Sequence, residues 1–500
     1  MSNDAYEPMS GVDTAWLRMD SPTNLMIINA MLVIDQMDFD SFKATIRNRF
    51  LSYRRFKKRP VQHSGQYVWE LDPYFDLSNH VHRVALPGLA DKTILQEYLA
   101  DQLSVTFDPA KPLWQIHFIE NYVDGVVAIL RVHHCYADGI SLVSVFHSIT
   151  DSDSNVKPFV NVEANTQQEH PRADEFYPWP LYQKLIDNAV HAVEKYTRMG
   201  IKASEESVHI LRDPDLIKAY ANDGLKVVSE VAKLALIPSD PQSSLKRRLG
   251  VRKTCAWSEP VPLNKIKHLS NELDCKINDL LLSCVAGALR EKMLVSGDEV
   301  DGQVIHVTVP VNIRPTEEGR GGLGKSQQLG NQFGTVFVPL PVGISNPIER
   351  VYKLKHDMAE LKKSLQPGVS FGLLFAAGLL PRTVQKPLMD VFAKKTSAVM
   401  SNVPGPREFR YFGGAKIKEQ MFWVPQTGGV GLGLSIISYA GHIQFGLIGD
   451  EKLFPDAEQI VKHCIKQIDY HRFDRASQDG STKHSLIKHS ECEKQQVQVS

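Results

Sequence analysis

The segment RVHHCYADGI spans residues 131–140 and carries an apolar run into two adjacent histidines, an aspartate and a glycine. Upstream, GVVAILRVHH (125–134) is rich in β-branched residues, as is LMIINAMLVID (25–35), and turn formers bound both, so both read as buried strands. After Gly139, the apolar residues Ile140, Val143, Val145 and Ile149 predict a helix. The histidines therefore fall in a strand-to-helix connection, and the first half of the chain is expected to be mixed α/β.

Side chains alternate along a strand, so only one of His133 and His134 can enter a given cavity, and the other must pack or orient the loop. Asp138 and Gly139 read as a tight turn, in which glycine permits a positive φ and the aspartate bonds backbone amides or a cation. A strand-end histidine held by such a turn suits general-base activation of a hydroxyl. A satisfied structural histidine is the plainer alternative. Metal binding is disfavoured, because adjacent strand residues diverge and no second ligand cluster such as HExxH is present. Cys135 has no accompanying oxyanion-hole motif that would support covalent catalysis.

Composition narrows the classes. A chain of 500 residues exceeds one ordinary core, so two large subdomains with a cleft between them are expected. Apolar residues make up 43% and charged residues 23%, the balance of a globular protein. Lys plus Arg and Asp plus Glu both total 57, so no global field favours nucleic acid. The six cysteines lack a CxxC pair, which argues against structural zinc and a disulfide framework and for a reducing, intracellular compartment. The opening MSNDAYEPMSGVDTAW does not read as a signal peptide. Apolar stretches such as VSFGLLFAAGLL (369–380) fall short of the roughly 18–20 residues that span a bilayer.

Along the chain, residues 151–175 are polar and weakly patterned, and helical spacing returns in two series, Leu181 to Tyr196 and Val227 to Ala235. Strands reappear from 253, clearest in CAWSEPVPL (255–263), VIHVTVPVNI (304–313), GTVFVPLPV (334–342) and GLGLSIISYAGHIQFGLIG (431–449). The expected division is a first α/β subdomain over 1–175, a helical crossover over 176–252, a second α/β subdomain over 253–475 and a polar, disordered tail over 476–500.

Two stretches invite other readings. GRGGLGKS (319–326) matches the phosphate-loop pattern, but no strand leads directly into it and no helix pattern follows, so it reads as a mobile Gly-rich loop. YRRFKKR (53–59) holds five positive charges, suited either to coenzyme phosphates or an anionic membrane surface, or to a solvated turn.

The pattern HHxxxDG at His133, His134, Asp138 and Gly139 resembles the signature of CoA-dependent acyltransferases and condensation domains. VDTAWLRMDSPTNLM (12–26), PLW (112–114), KINDLLL (276–282), PVNIRP (310–315), GNQFG (330–334) and SNVPGP (401–406) narrow the likeness. In this order they resemble the bacterial wax ester synthase/diacylglycerol acyltransferase family over roughly 8–475. At Asp20 the chain departs from the family, where a glutamate is common.

The resemblance implies two chloramphenicol-acetyltransferase-like subdomains with an active-site tunnel at their interface. It implies transfer of a long-chain acyl group from acyl-CoA to a fatty alcohol or diacylglycerol, with no cofactor, no metal and no nucleic acid. His134 would be the base and His133 its companion, with Asp138 structural and paired with Arg314. Pro112, Leu113 and Trp114 would shape the acyl tunnel. Asn278, followed by Asp279, is either an oxyanion donor or has an N-cap or helix-packing role. Gly330 and Gly334 would be architectural, as would the Pro404-Gly405-Pro406 turn. The expected location is cytoplasmic, peripheral on the inner face of the membrane or on lipid inclusions. The alternatives are another hydroxyl acceptor, such as a glycolipid or polyketide, and a non-catalytic lipid-binding module.

Overall fold

The computed structural model describes residues 6–155, 237–314, 329–379 and 382–477. Most of the expected helical crossover, the Gly-rich stretch 319–326 and the tail beyond 477 lie outside the described residues. The described end of the crossover, 237–252, is turns and extended chain instead of helix. Pro238 and Pro241 account for this, since proline cannot sustain a helical hydrogen-bond ladder.

The first half runs β1 (Tyr6–Pro8), α1 (Gly11–Met19), β2 (Ile27–Ile34), α2 (Phe39–Asn48), β3 (Lys58–His63), β4 (Gln66–Leu71) and β5 (Val81–Val84). It continues through α3 (Lys92–Gln102), β6 (Trp114–Tyr122), β7 (Gly125–His133) and α4 (Gly139–Ile149). The second half opens with β8 (Lys253–Trp257), β9 (Val261–Pro262), α5 (Leu263–Glu272), α6 (Ile277–Val295), β10 (Ile305–Asn312) and β11 (Phe333–Leu340). Then come α7 (Pro347–Leu361), α8 (Gln366–Leu379), α9 (Arg382–Lys394) and β12 (Ala398–Pro404). It closes with β13 (Tyr411–Phe412), β14 (Ala415–Trp423), β15 (Leu432–Tyr439), β16 (His442–Asp450) and α10 (Ala457–Ser477).

One sheet has the order β13-β14-β2-β7-β6-β5 and a second the order β11-β10-β12-β15-β16-β8, with β9 also on β16. A small sheet, β1-β4-β3, stands beside the first. The central strands β2 and β7 read as unbroken apolar runs because separate hydrophobic clusters cover the two faces of their sheet. In the second half, α6 is buried nearly all round, in the cluster that joins α6, α7 and α10 to the second sheet.

The first sheet does not follow the chain division expected at 253. Its outer strands β13 and β14 come from the second half, and β14 pairs antiparallel with β2 from Asn29↔Trp423 to Ile34↔Ile417. This pairing covers what would otherwise be an open edge of hydrogen-bonding groups on β2, and it ties the two halves together. Among the described residues, no helix is long and apolar enough to cross a membrane.

Candidate active site

A cavity of about 210 Å³ opens between the halves. The first half lends it Trp16, Met19, Ile28, His134, Asp138, Gly139 and Ile140. One face of the β10–β11 pair forms a wall, with Thr308, Pro310 and Asn312 beside Phe333, Thr335 and Phe337, the alternation that a strand pair imposes. Leu373 and Leu374 on α8 and Phe392 on α9 continue an apolar surface.

His134 is fixed from every side. The β2–β7 ladder ends at Ile27↔His133, and the His134 amide then donates to the Met26 carbonyl at 2.7 Å. Trp16 stacks on the imidazole, with ring centroids 4.1 Å apart and planes inclined by 11°, and Phe333 lies tilted at 5.6 Å. The ring Nδ1 meets Asn331 Oδ1 at 2.8 Å. Asn331 Nδ2 donates both to the His134 carbonyl and to Asp13 Oδ1, each at 2.8 Å. Those two partners only accept, so the Asn331 amide nitrogen must face them and its oxygen must face His134. Nδ1 therefore carries the ring proton, and Nε2 keeps its lone pair for the cavity that His134 lines. Burial pulls the His134 pKa below its ordinary value, against the raising influence of Asp138 and Asn331. The ring is neutral at neutral pH.

His133 has the opposite tautomer and the opposite environment. The Cys135 amide donates to its Nδ1 at 3.2 Å, so the proton sits on Nε2, 3.9 Å from Asp20 Oδ1. Burial, with a smaller push from His134, lowers its pKa to about 3. His133 does not line the cavity. Asp20 ends α1 and accepts from the Met26 amide at 2.7 Å.

Asp138 is the N-cap of α4. Its Oδ1 accepts from the Ser141 amide at 2.8 Å, and its Oδ2 accepts from Arg314 Nη2 at 2.7 Å and from the Gln332 amide at 2.9 Å. Arg314 also reaches Ser141 Oγ at 2.8 Å and the Gly330 carbonyl at 3.2 Å, so one carboxylate gathers α4, the end of β10 and the approach to β11. Gly139 does not have the left-handed backbone expected of it; it is the first residue of α4. A Cβ there would meet nothing within 4 Å, so the glycine leaves the cavity open beside His134. Gly334 does have a packing reason, because a Cβ would stand 1.9 Å from the Pro367 carbonyl oxygen at the start of α8.

Several expected site residues lie elsewhere. Leu113 and Trp114 belong to the core of the first half and, with Pro112, stay out of the cavity lining. Trp114 Nε1 donates to the Phe56 carbonyl at 2.7 Å, and the His133 amide donates to the Leu113 carbonyl at 3.0 Å. PLW thus supports the histidine loop from behind. Asn278 is neither an N-cap nor a lining residue: Lys276 caps α6, and Asp279 Oδ2 accepts from the Lys276 amide at 3.0 Å. Asn278 Oδ1 accepts from Asn402 Nδ2 at 2.6 Å, and Asn402 is the residue that lines the cavity. The 53–59 cations are largely matched internally: Arg55 and Lys58 to Glu7 at 2.9 and 2.6 Å, and Arg59 to Glu70 at 2.9 Å. Burial pushes the Cys135 thiol well above its ordinary value, which leaves no thiolate for covalent chemistry.

Asp13, Trp16 and Asn331 carry the His134 environment, yet sequence reasoning gave them no role. Each lies inside a segment already singled out, VDTAW or GNQFG; an aspartate in a first helical turn and an asparagine between glycines ordinarily read as capping and turn residues.

The family model described as the wax ester synthase/diacylglycerol acyltransferase catalytic domain matches residues 9–281, and the corresponding C-terminal domain model matches 329–470. A Mycobacterium tuberculosis relative, named "Probable diacyglycerol O-acyltransferase tgs1", is 24% identical over 87% of this chain and 89% of its own length. The solved wax ester synthase/diacylglycerol acyltransferase of Marinobacter aquaeolei VT8 superposes with a TM-score of 0.64 at 18% identity, over 93% of this chain and 99% of that one. The first condensation domain of the CDA synthetase does so with a TM-score of 0.56 at 12% identity, over 94% and 97%. The two-sheet, chloramphenicol-acetyltransferase-like architecture is that of these structures, and the chain belongs to the wax ester synthase/diacylglycerol acyltransferase family.

Proposed function

We propose that this acyltransferase moves a long-chain acyl group from acyl-CoA to the hydroxyl of a fatty alcohol or diacylglycerol, with His134 as general base. The observation that carries the reading is the forced His134 tautomer, whose free Nε2 belongs to a mostly apolar cavity between the halves. Nε2 takes the acceptor's hydroxyl proton while the oxygen attacks the thioester carbonyl carbon. The tetrahedral intermediate collapses with rupture of the C–S bond, and the departing CoA sulfur takes the proton back from His134. Ester and free CoA leave, and no acyl-enzyme forms. To the amides of Gly139 and Ile140, which head α4 at the cavity edge, we assign the stabilisation of the negative oxygen.

The long-chain substrates are supported by the apolar walls that Phe337, Leu373, Leu374 and Phe392 provide. A peripheral position on a lipid surface is supported by the exposed side chains of Leu379 and Val391, on the two helices that wall the cavity. The test is acceptor-dependent CoA release from palmitoyl-CoA, with hexadecanol or dioleoylglycerol and identification of the ester by mass spectrometry. Wax ester or triacylglycerol formation is expected. CoA release that neither acceptor stimulates overturns the substrate assignment and points to a different hydroxyl acceptor.

A further inference from the structure

Asp13 is buried in the first turn of α1; besides the Ser10 hydroxyl at the head of its own helix, its side chain has two partners from farther along the chain. Arg55 is the weaker one: Nη1 stands 3.7 Å from Asp13 Oδ2, while the same guanidinium makes a 2.9 Å bond to Glu7 and lies over the Trp69 ring. The stronger contact is the 2.8 Å bond that Asp13 Oδ1 accepts from Asn331 Nδ2, 318 positions away in sequence. A buried carboxylate kept for folding alone would be expected to hold its closest pairing with the cation, because an uncompensated buried charge is costly. Here the arginine favours another acid, and the carboxylate is aimed at the amide that touches His134.

An asparagine amide can be turned end for end with almost no change in shape, so its orientation depends on its neighbours. With the His134 carbonyl alone beside Nδ2, a turned amide would lose one bond. With the Asp13 carboxylate there as well, turning would set the amide oxygen against two acceptors, one of them charged. Asp13 therefore locks the orientation that makes Asn331 Oδ1 accept from Nδ1. It also places a negative charge on the line through Asn331 to the imidazole, where positive charge develops as Nε2 takes the hydroxyl proton.

We propose that Asp13 is a positioning residue for His134: acting through the Asn331 amide, its carboxylate fixes the base's tautomer and compensates the imidazolium formed during acyl transfer. This rests on His134 being the base. Other groups face the same network: Arg55 beside Asp13, Asp138 and His133 next to His134 in the loop, and Cys135 and Asp20 behind it. Burial raises the Asp13 pKa to about 6, so the carboxylate is charged at neutral pH and is lost in mild acid.

The test is Asp13→Asn, which keeps shape and an acceptor oxygen but removes the charge. The expected result is a roughly tenfold lower kcat, an unchanged KM for palmitoyl-CoA and an acid limb of kcat/KM shifted to lower pH, since the imidazolium is less stabilised. Native kcat with a native limb overturns the proposal; so does a loss confined to active protein or to KM with the limb unmoved, which is the mark of a structural role. The exchange Asp13→Asn with Asn331→Asp keeps one carboxylate but sets it directly on Nδ1. It should move the limb above the native position, and an unmoved limb there contradicts the proposal as well. His134→Ala is measured alongside: if it retains turnover, the base assignment itself fails, whereas its loss beside a native-like Asp13→Asn removes only the role given to Asp13.

Discussion

The two faces of the segment Arg131–Ile140 have the same chain for a backbone and different physics. On the cavity face, His134, Asp138 and Gly139 meet a polar network drawn from the second half, with Asn331, Arg314 and the Gln332 amide as its main members. On the core face, His133, Cys135 and Tyr136 meet PLW and the aromatic cluster, and Tyr136 Oη both donates to the Lys58 carbonyl at 2.6 Å and accepts from the Leu113 amide at 3.0 Å. The first face holds a proton acceptor in one orientation; the second gives the loop a rigid footing. A base held to within a fraction of an ångström needs both, because a well-aimed network on a loose loop would be aimed only part of the time.

This division is most severely strained by Trp114→Ala. The side chain is fully buried against Phe50, Phe56 and His80, so its loss should destabilise the protein by about 3–5 kcal/mol in denaturant unfolding. The surviving folded enzyme should keep its KM for acyl-CoA. A raised KM at native stability would instead return PLW to the cavity and erase the contrast between the faces.

Arg314→Ala attacks the cavity face without touching His134. It leaves the buried Asp138 carboxylate without its cation, and a loss of about 2–4 kcal/mol together with a lower kcat is expected. A variant with native kcat would mean that the clamp shapes the fold and not the site.

The core face also sets acid stability. His133 has a folded pKa of about 3 against an ordinary value of 6.5, so below pH 6.5 the unfolded chain binds a proton that the folded one refuses. Its contribution is intact above pH 6.5 and is lost as the pH falls towards 3. Asp13, raised from 3.8 to about 6, acts in the opposite sense, favouring the folded state as pH falls through 6, and it offsets part of the slope. His133→Asn keeps an acceptor for the Cys135 amide but does not titrate. It should flatten the fall in unfolding free energy between pH 7 and 5 by about 1–2 kcal/mol. An unchanged slope would place the acid sensitivity elsewhere, first at His117, whose pKa burial also lowers to about 3.

The smallest effect belongs to Asn278→Ala. It removes one bond to Asn402 at the head of α6, so stability should fall by no more than about 1 kcal/mol, with turnover within roughly twofold of native. A large loss of turnover would restore Asn278 to the reacting centre.

What the sequence made legible was local. β2, β7 and the second-half strands stand out because long β-branched runs covered on both faces have no other ready interpretation, and the apolar spacing after Gly139 marks α4, although Asp138, read as a turn residue, is in fact its N-cap. What it hid was long-range. Nothing in VDTAW or GNQFG says that Asp13 and Asn331 touch, and nothing near 415–423 says that this strand crosses to the first sheet to close the edge of β2. PLW misled for a related reason: an apolar triplet beside a reacting segment serves a cavity or a core equally well. The pairing Trp114↔Val132, which turns the indole into the core, is a fact of tertiary structure.

The most direct test of the account is a single-variant comparison of chemistry with binding. In His134→Ala, palmitoyl-CoA affinity by calorimetry should stay within a few-fold of native, while acceptor-dependent CoA release falls by roughly a hundredfold to ten-thousandfold. Turnover at the native rate in that variant, with the fold intact, would contradict a base at His134 and with it the chemistry assigned to the cavity.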